Sequence, residues 1–315
     1  MKSLMYHYVR ESNNDYPLSK HKDLKDFSLE ISHIKKKHSF LNATEAINQT
    51  EFNPSNNIVI LTFDDGLKDH LNVAEILKGL DINATFYIPI KPYLNNDLLH
   101  VHKAHLITSK FGEESILLLK EAIKKLNLDE NLIENNKEKD FFKSRYKEHH
   151  DENGIKEFKK MINYYGSIGL RDSILNQILK SKNIKSEVES FYLTKKEIKY
   201  ISSLGFEIGS HGVSHNVMSR LNIQEQSYEL NSSKVYLENI IKKNITSFCY
   251  PYGRKSSYNK DTIKLLSKSQ YKNAISVEYR DIKLEDIKNN IFEIPRYDCN
   301  QIKQIFNTQT TESPK

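Results

Sequence analysis

Ile58-Val59-Ile60-Leu61-Thr62-Phe63-Asp64-Asp65-Gly66 is the stretch on which the reading of the whole chain turns. An aliphatic run that follows the polar Asn53-Pro54-Ser55-Asn56-Asn57 and ends at Asp-Asp-Gly predicts a short buried strand closing in a turn. Asp and Gly are what turns recruit, so the triplet alone reads as a turn and nothing more. If the strand belongs to a parallel sheet or barrel, its carboxyl end is where active sites form, and two adjacent carboxylates there could do chemistry.

Outward from this stretch, the flanks supply a parallel fold. Leu4 to Val9 reads as a strand with His7 near its end, and Leu24, Phe27, Ile31 and Ile34 mark an amphipathic helix within Lys22 to Lys37. After Gly66 a helix face runs through Val73, Ile76, Leu77 and Leu80, then a buried strand over Ala84 to Ile90 is stopped by Pro89 and Pro92. Strand, helix, strand with short links is a βαβ unit, hence a parallel sheet or barrel. The rhythm resumes at a helix from Thr194 to Ser203, with Thr194 and Glu197 at capping-box spacing. A strand Phe206 to Gly209 follows, then a long helix with Ile223, Leu230, Leu237 and Ile241 on one face. Last come a strand at Ser247 to Tyr250, a helix at Lys260 to Ser267, and strands at Asn273 to Val277 and Ile291 to Ile294.

Between about residues 95 and 190 only helical patterns occur, such as Ile116, Leu119, Ile123 and Leu126, separated by charge runs such as Asn135 to Asp140. This predicts a helical insertion, 95–190, within one α/β domain spanning 1–305, followed by a polar tail, 306–315, read as disordered. The insertion's His100, His102, His105, His149 and His150 lie in mixed-charge surroundings and read as surface residues.

Composition excludes several classes. The net charge of +6 comes from 47 basic and 41 acidic residues interspersed along the chain, without the concentrated basic face expected of a nucleic-acid protein. No run reaches the roughly 18 apolar residues of a membrane span. Cys249 and Cys299 have no CxxC spacing and make no disulfide framework. With no signal-like segment at the start, a cytoplasmic protein is expected.

Several strand ends carry reactive residues. Two histidines four apart, His211 and His215, would share one face of a helical turn and could bind a single metal, although such a pair also arises by chance. With Asp65 they would make a two-histidine, one-carboxylate site suited to Zn²⁺, Fe²⁺ or Co²⁺. Asp64 could then serve as base and His7 as acid, while a core histidine bonded to backbone is the plainer reading of His7.

These residues carry a resemblance. Thr62-Phe63-Asp64-Asp65-Gly66, His211-x-x-x-His215 and Phe248-Cys249-Tyr250-Pro251-Tyr252-Gly253 resemble three ordered motifs of the polysaccharide deacetylases, carbohydrate esterase family 4. The opening Leu4-Met5-Tyr6-His7-Tyr8-Val9 resembles a rearranged branch whose catalytic histidine precedes the acid pair. The resemblance covers about residues 1–93 and 194–300. It implies a distorted (β/α)₇ barrel, one divalent metal (Zn²⁺, with Co²⁺, Ni²⁺ or Fe²⁺ as alternatives) and N-deacetylation of an N-acetylated amino sugar. By position, Asp64 is the base, Asp65, His211 and His215 are metal ligands, His7 is the acid, and the Tyr252 N–H helps hold the oxyanion. Two positions depart from the pattern. Gly212 stands where a Ser or Thr is usual, and Cys249 where many members place a base-orienting Arg. Arg296, with Arg254 as second choice, could supply that Arg, and Asp298 could orient His7.

The expected function is therefore a metal-dependent carbohydrate N-deacetylase acting on a glycan, a glycan precursor or a nucleotide-linked sugar. A deacylase for another small acyl group such as formyl and a non-catalytic glycan-binding barrel are the alternatives.

Overall fold

The computed structural model describes residues 1–12, 18–48, 57–128, 152–165 and 168–306. The charge run at 135–140, His149, His150 and residues 307–315 lie outside them. The chain divides into two compact units, one of Met1–Glu11, His21–Asn95 and Glu189–Lys315, the other of Ser12–Lys20 and Asn96–Val188.

The first unit is built on parallel strands: β1 (Lys2–Tyr6), β2 (Ser39–Leu41), β3 (Ile58–Phe63), β4 (Thr85–Ile88), β5 (Glu207–Ser210), β6 (Ser247–Cys249), β7 (Asn273–Ile275) and β8 (Tyr297–Asp298). Their order is β7-β6-β5-β4-β3-β1-β8, with β2 paired beside the first half of β3. A parallel bridge from Ile275 to Ile294 brings the segment leading into β8 alongside β7, so the sheet curls around on itself as a distorted parallel barrel. The last strand differs from the expected Ile291 to Ile294. Pro295 has no N–H to give a ladder, so the run is reduced to one bridge and pairing with β1 begins only after it.

Alternation along each strand sorts the side chains into two cores. Val59, Leu61 and Phe63 of β3, Phe86 and Ile88 of β4 and Phe248 of β6 join Leu4 and Tyr6 in an outer cluster with the helices. Ile58 and Ile60 join Tyr87, Cys249, Ile275 and Ile294 in an inner cluster that fills the barrel lumen. Gly209 on β5 is required here: a Cβ would lie 2.3 Å from Tyr87 Cε1, so the tyrosine crosses the lumen only because that position has no side chain. Every residue of β3 is buried, as a central parallel strand demands.

The helices follow their signals. Leu24–Lys35 is capped by Asp23, and Lys195–Ser203 by the reciprocal Thr194–Glu197 box. The long helix Ile223–Ile241 buries Leu230, Leu237 and Ile241 of the expected face together with Gln226, Glu229 and Ser233, while Ile223 at its start is 50% exposed.

In the second unit the described residues form helices and no strand, chiefly His100–Phe111, Ser115–Lys125, Asn153–Lys160 and Ile168–Ser181. Buried Leu118, Leu119, Ile123, Phe158, Leu175 and Ile178 supply apolar packing. His100 and His102 are fully buried, correcting their reading as surface residues, and His105 is half-buried. The helix that carries them is buried on nearly every face, and its Lys103 ammonium is sequestered with Asp97 (2.6 Å) and Asn176 (2.7 Å).

Candidate metal centre

Strand geometry brings the paired acids together. Asp64 follows Phe63 and its N–H continues the ladder to the Tyr6 carbonyl (3.0 Å), so it faces the lumen with Ile60 and Thr62. The next residue of an extended strand would face away, but Asp65 adopts φ +76 and Gly66 φ +60, and both carboxylates end at the same mouth of the barrel. Asp tolerates this left-handed region better than most side chains. A Cβ on Gly66 would press on Ile88 at 3.1 Å.

Around Asp65 stand two imidazoles. His211 Nε2 is 3.5 Å and His215 Nε2 3.3 Å from Asp65 Oδ1, and all three side chains are buried. Ligands about 2.1 Å from a tetrahedral ion lie about 3.4 Å apart, so the spacing fits one cation held by these three atoms. The His211 Nδ1–H donates to the Cys249 carbonyl (2.7 Å), which fixes the tautomer and leaves Nε2 as the lone pair facing Asp65. Burial lowers the His211 pKa, against the pull of Asp64 and Asp65, and the neutral imidazole is the form a metal requires. The two histidines do not lie on a helical turn, as their spacing had predicted. They flank an irregular loop with left-handed Gly212 (φ +77) and His215 (φ +58).

A second trio, Asp64, His211 and Cys249, is also close enough to share an ion. Its chemistry does not fit. Asp64 is already committed, since Arg296 donates Nη1 to Oδ1 (2.8 Å) and Nη2 to Oδ2 (2.7 Å), and burial pushes the Cys249 thiol up and keeps it protonated.

Arg296 also donates to Thr62 Oγ1 (2.9 Å) and reaches Cys249 Sγ (3.1 Å), filling the lumen beneath the acids. Burial alone would raise the Asp64 carboxyl. The Arg296 charge, His211 and the two guanidinium bonds more than reverse this and hold it at about 2. Arg296 thus stands beside the carboxylate where the motif comparison had left a cysteine. Arg254 instead lies over the Tyr279 ring, 4.7 Å from its centroid.

His7 lies at the mouth, its side chain 37% exposed, with Nε2 3.9 Å from Asp64 and 4.0 Å from Asp65. His70 Nε2–H grips its backbone carbonyl (2.9 Å), and Arg10 ties the same segment to Asp69 (2.6 Å). Asp298 was expected beside His7. Its Oδ1 instead accepts from the Asn300 backbone N–H (2.9 Å) and side-chain amide (2.7 Å), closing the short turn Cys299–Gln301. Tyr252, at φ +64, sets its ring 5.2 Å from that of His215, and Gly253 behind it leaves no room for a Cβ against Val277.

Sequence reasoning missed Glu229, whose carboxylate accepts the Val213 N–H (2.6 Å), the Ser214 N–H (3.0 Å) and the Ser214 hydroxyl. Its signal was an acidic residue one position before Leu230 on the inward face of the long helix. His70, one residue into a helix, gave no signal of its own.

Residues 176–274, which hold both histidines and the Tyr250-Pro251-Tyr252-Gly253 run, match the sequence profile of the polysaccharide deacetylases. Over that segment the chain is similar to the polysaccharide deacetylases. YxkH of Bacillus subtilis, a protein assigned to them, is 31% identical over 94 residues, 30% of this chain, and the match spans a third of that relative's length. Among solved structures, the Streptococcus pyogenes deacetylase PplD, determined in complex with acetate, aligns over 98% of both chains with a TM-score of 0.59 and 16% identity. IcaB from Ammonifex degensii aligns over 96% of this chain and 94% of its own (TM-score 0.56, 12% identity). BC0361, a polysaccharide deacetylase from Bacillus cereus, aligns over 97% of this chain and 67% of its own (TM-score 0.55, 15% identity). At these identities the likeness is one of fold, the parallel deacetylase barrel. No helix among the described residues is long and apolar enough to cross a membrane.

Proposed function

We propose that the chain is a metal-dependent carbohydrate deacetylase that removes the N-acetyl group from an amino sugar. The observation that carries this reading is one barrel mouth holding both a buried His-His-Asp set at tetrahedral spacing and a second carboxylate kept ionised by Arg296. Asp65, His211 and His215 would hold a divalent ion, Zn²⁺ by the donor set, which would supply Lewis-acid polarisation of the amide carbonyl and acidify a water.

The chain's own residues do the rest. Asp64 orients the attacking water and takes its proton. A carboxylate held at about 2 is a weak base, so it works only on a water already made acidic. Arg296, itself bonded to Thr62 Oγ1, holds that carboxylate in one orientation. The leaving amine must be protonated before the C–N bond breaks, and His7, half-exposed within 4.0 Å of both acids, is the group we assign to it. The Tyr252 N–H is assigned to the developing oxyanion. Asp298, held in its turn, is given no part in orienting His7, and His70 takes that place.

The substrate class is an N-acetylated amino sugar in a glycan, a glycan precursor or a nucleotide-linked sugar. The test is acetate release by the metal-loaded protein from N-acetylated oligosaccharides, polymers and nucleotide-linked sugars, with Asp64→Asn as control. Release from one class that falls at least about 10²-fold in the variant, with metal still bound, supports the reading. Metal bound but no acetate released from any of them overturns it in favour of another acyl group or a glycan-binding role.

A further inference from the structure

We propose that Glu229 is the positioning residue of the metal centre, holding the loop between the two imidazoles, and that the glycine at 212 is there to admit its carboxylate. This rests on the metal-site reading above.

The loop from His211 to His215 is irregular and doubly left-handed, so beyond His211, whose N–H ends the β5 ladder, neither helix nor ladder satisfies its N–H groups. A buried donor left unpaired is costly, and such a loop keeps one shape only if each finds an acceptor. His211 N–H donates to the Ile88 carbonyl (3.1 Å) and Gly212 N–H to Ser210 Oγ (3.2 Å). The next two, Val213 and Ser214, converge on Glu229 Oε2, and the Ser214 hydroxyl takes Oε1. A buried carboxylate with three donors is a stronger clamp than a neutral hydroxyl, because each bond is charge-assisted.

The helix bearing Glu229 reaches the loop a second time. One turn on, Ser233 Oγ lies 2.7 Å from Ser210 Oγ, the acceptor of the Gly212 N–H, and donates to the Glu229 carbonyl (2.6 Å). From the opposite side, the Ile90 and Lys91 N–H groups bind the Gly212 and Val213 carbonyls. The imidazoles therefore sit at the two ends of a segment clamped on both flanks.

Gly212 completes the argument. A Cβ there would lie 2.9 Å from Glu229 Oε2, and φ +77 disfavours any L side chain. A hydroxyl residue at 212 and a carboxylate at 229 compete for one space, so the missing Ser or Thr is the complement of Glu229 rather than a lost support.

The experiment measures Co²⁺ affinity by calorimetry and the visible d–d spectrum, with far-UV circular dichroism and metal-free thermal melts as folding controls. Wild type, Glu229→Ala, Glu229→Asp, Glu229→Gln, Gly212→Ser, Gly212→Ser/Glu229→Ala and Asp65→Ala are compared. Glu229→Ala is expected to weaken Co²⁺ binding about 10- to 100-fold and to shift the spectrum, as loss of an outer hydrogen bond to a metal site does. Glu229→Gln, which keeps one oxygen for the two backbone donors, recovers most of the affinity. Gly212→Ser weakens binding in the wild-type background and weakens it less once Glu229 is Ala, where only the strain of a left-handed serine remains. Wild-type affinity and spectrum in a folded Glu229→Ala overturn the proposal. If that variant does not fold, unchanged binding in Glu229→Asp, whose carboxylate is drawn back by one methylene, overturns it equally. A folded wild type that binds no more Co²⁺ than Asp65→Ala removes the metal site itself, which is a different failure.

Discussion

Each end of the barrel lumen holds a carboxylate, and the two are held in opposite ways. At the amino-terminal end Glu207 accepts only neutral donors, the Thr44 N–H (3.2 Å), the Thr44 hydroxyl and the Thr85 hydroxyl (2.8 Å). Burial dominates there and raises its pKa. At the carboxyl-terminal end Asp64 faces a full guanidinium and is driven down to about 2. Glu207 is half-buried and Asp64 almost fully buried, yet desolvation raises the carboxyl at both, and the sign of the neighbouring charge is what separates them. Hydrogen bonds alone offset part of a desolvation penalty, whereas an opposing charge reverses it. The lower end is a polar plug, extended through Thr246, Asn273, Ser247 and Tyr87, and the upper end keeps an anion beside the His-His-Asp set.

The largest expected effect comes from removing the upper end's ligands. Asp65→Ala or exhaustive chelation should reduce acetate release to background, and returning Zn²⁺ should restore the chelated wild type but not the variant. Restored turnover in Asp65→Ala would place the metal elsewhere.

Next in size is the conversion of the upper end into a lower end. Arg296→Met leaves the Asp64 charge buried and unpaired and should lower unfolding free energy by about 3–5 kcal/mol in denaturant titration. Adding Asp64→Asn should recover most of that loss without any turnover, because the buried charge is then gone. If the double variant is no more stable than the single, the pair is not what Arg296 contributes. A smaller effect belongs to His7, at the rim: His7→Ala should slow amide cleavage about 10²-fold, with far less effect on an ester whose leaving group needs no proton. Equal slowing of both would make His7 structural.

How much of this was legible depended on whether the signal was local. The apolar run into Asp64-Asp65-Gly66 gave strand, turn and paired acids, because burial and chain reversal are written into neighbouring residues. Arg296 could be suggested but not chosen, since its partner lies 232 positions away and only the curl of the sheet brings them together. Asp298 shows the converse: Asp-Cys-Asn is also a capping sequence, and the nearer donors of Asn300 hold its carboxylate. Helical spacing misled at His211 and His215, where an i, i+4 pair is held by a loop clamped from Glu229. The short strand Ser39–Leu41 and the helix Ala43–Ile47 below it carried too few residues to show a period. His100 and His102 read as exposed because their sequence neighbours are polar, while burial is decided by what packs on the helix.

The smallest effect tests the lower end. Glu207→Gln keeps an oxygen for the Thr44 N–H and can turn its amide toward Thr44 Oγ1, which also lies 3.1 Å from Thr246 Oγ1. Metal affinity and turnover should stay within about twofold of wild type, since such a change touches neither the ligands nor Asp64. Its signature is in stability against pH. Because the folded-state pKa of Glu207 is raised, the unfolded chain loses that proton first, and wild-type stability falls as pH rises from the unfolded value near 4.5 through the folded one. Asp64 acts in the opposite sense, adding stability above its unfolded value near 3.8 that is lost as pH falls through about 2. The melting temperature of Glu207→Gln should therefore gain on wild type as pH rises from about 4.5 through the folded-state value, and the gain should level off above it. A difference that stays flat over that range would mean Glu207 is as readily ionised as a surface carboxylate, and the contrast between the two ends would then rest on position alone.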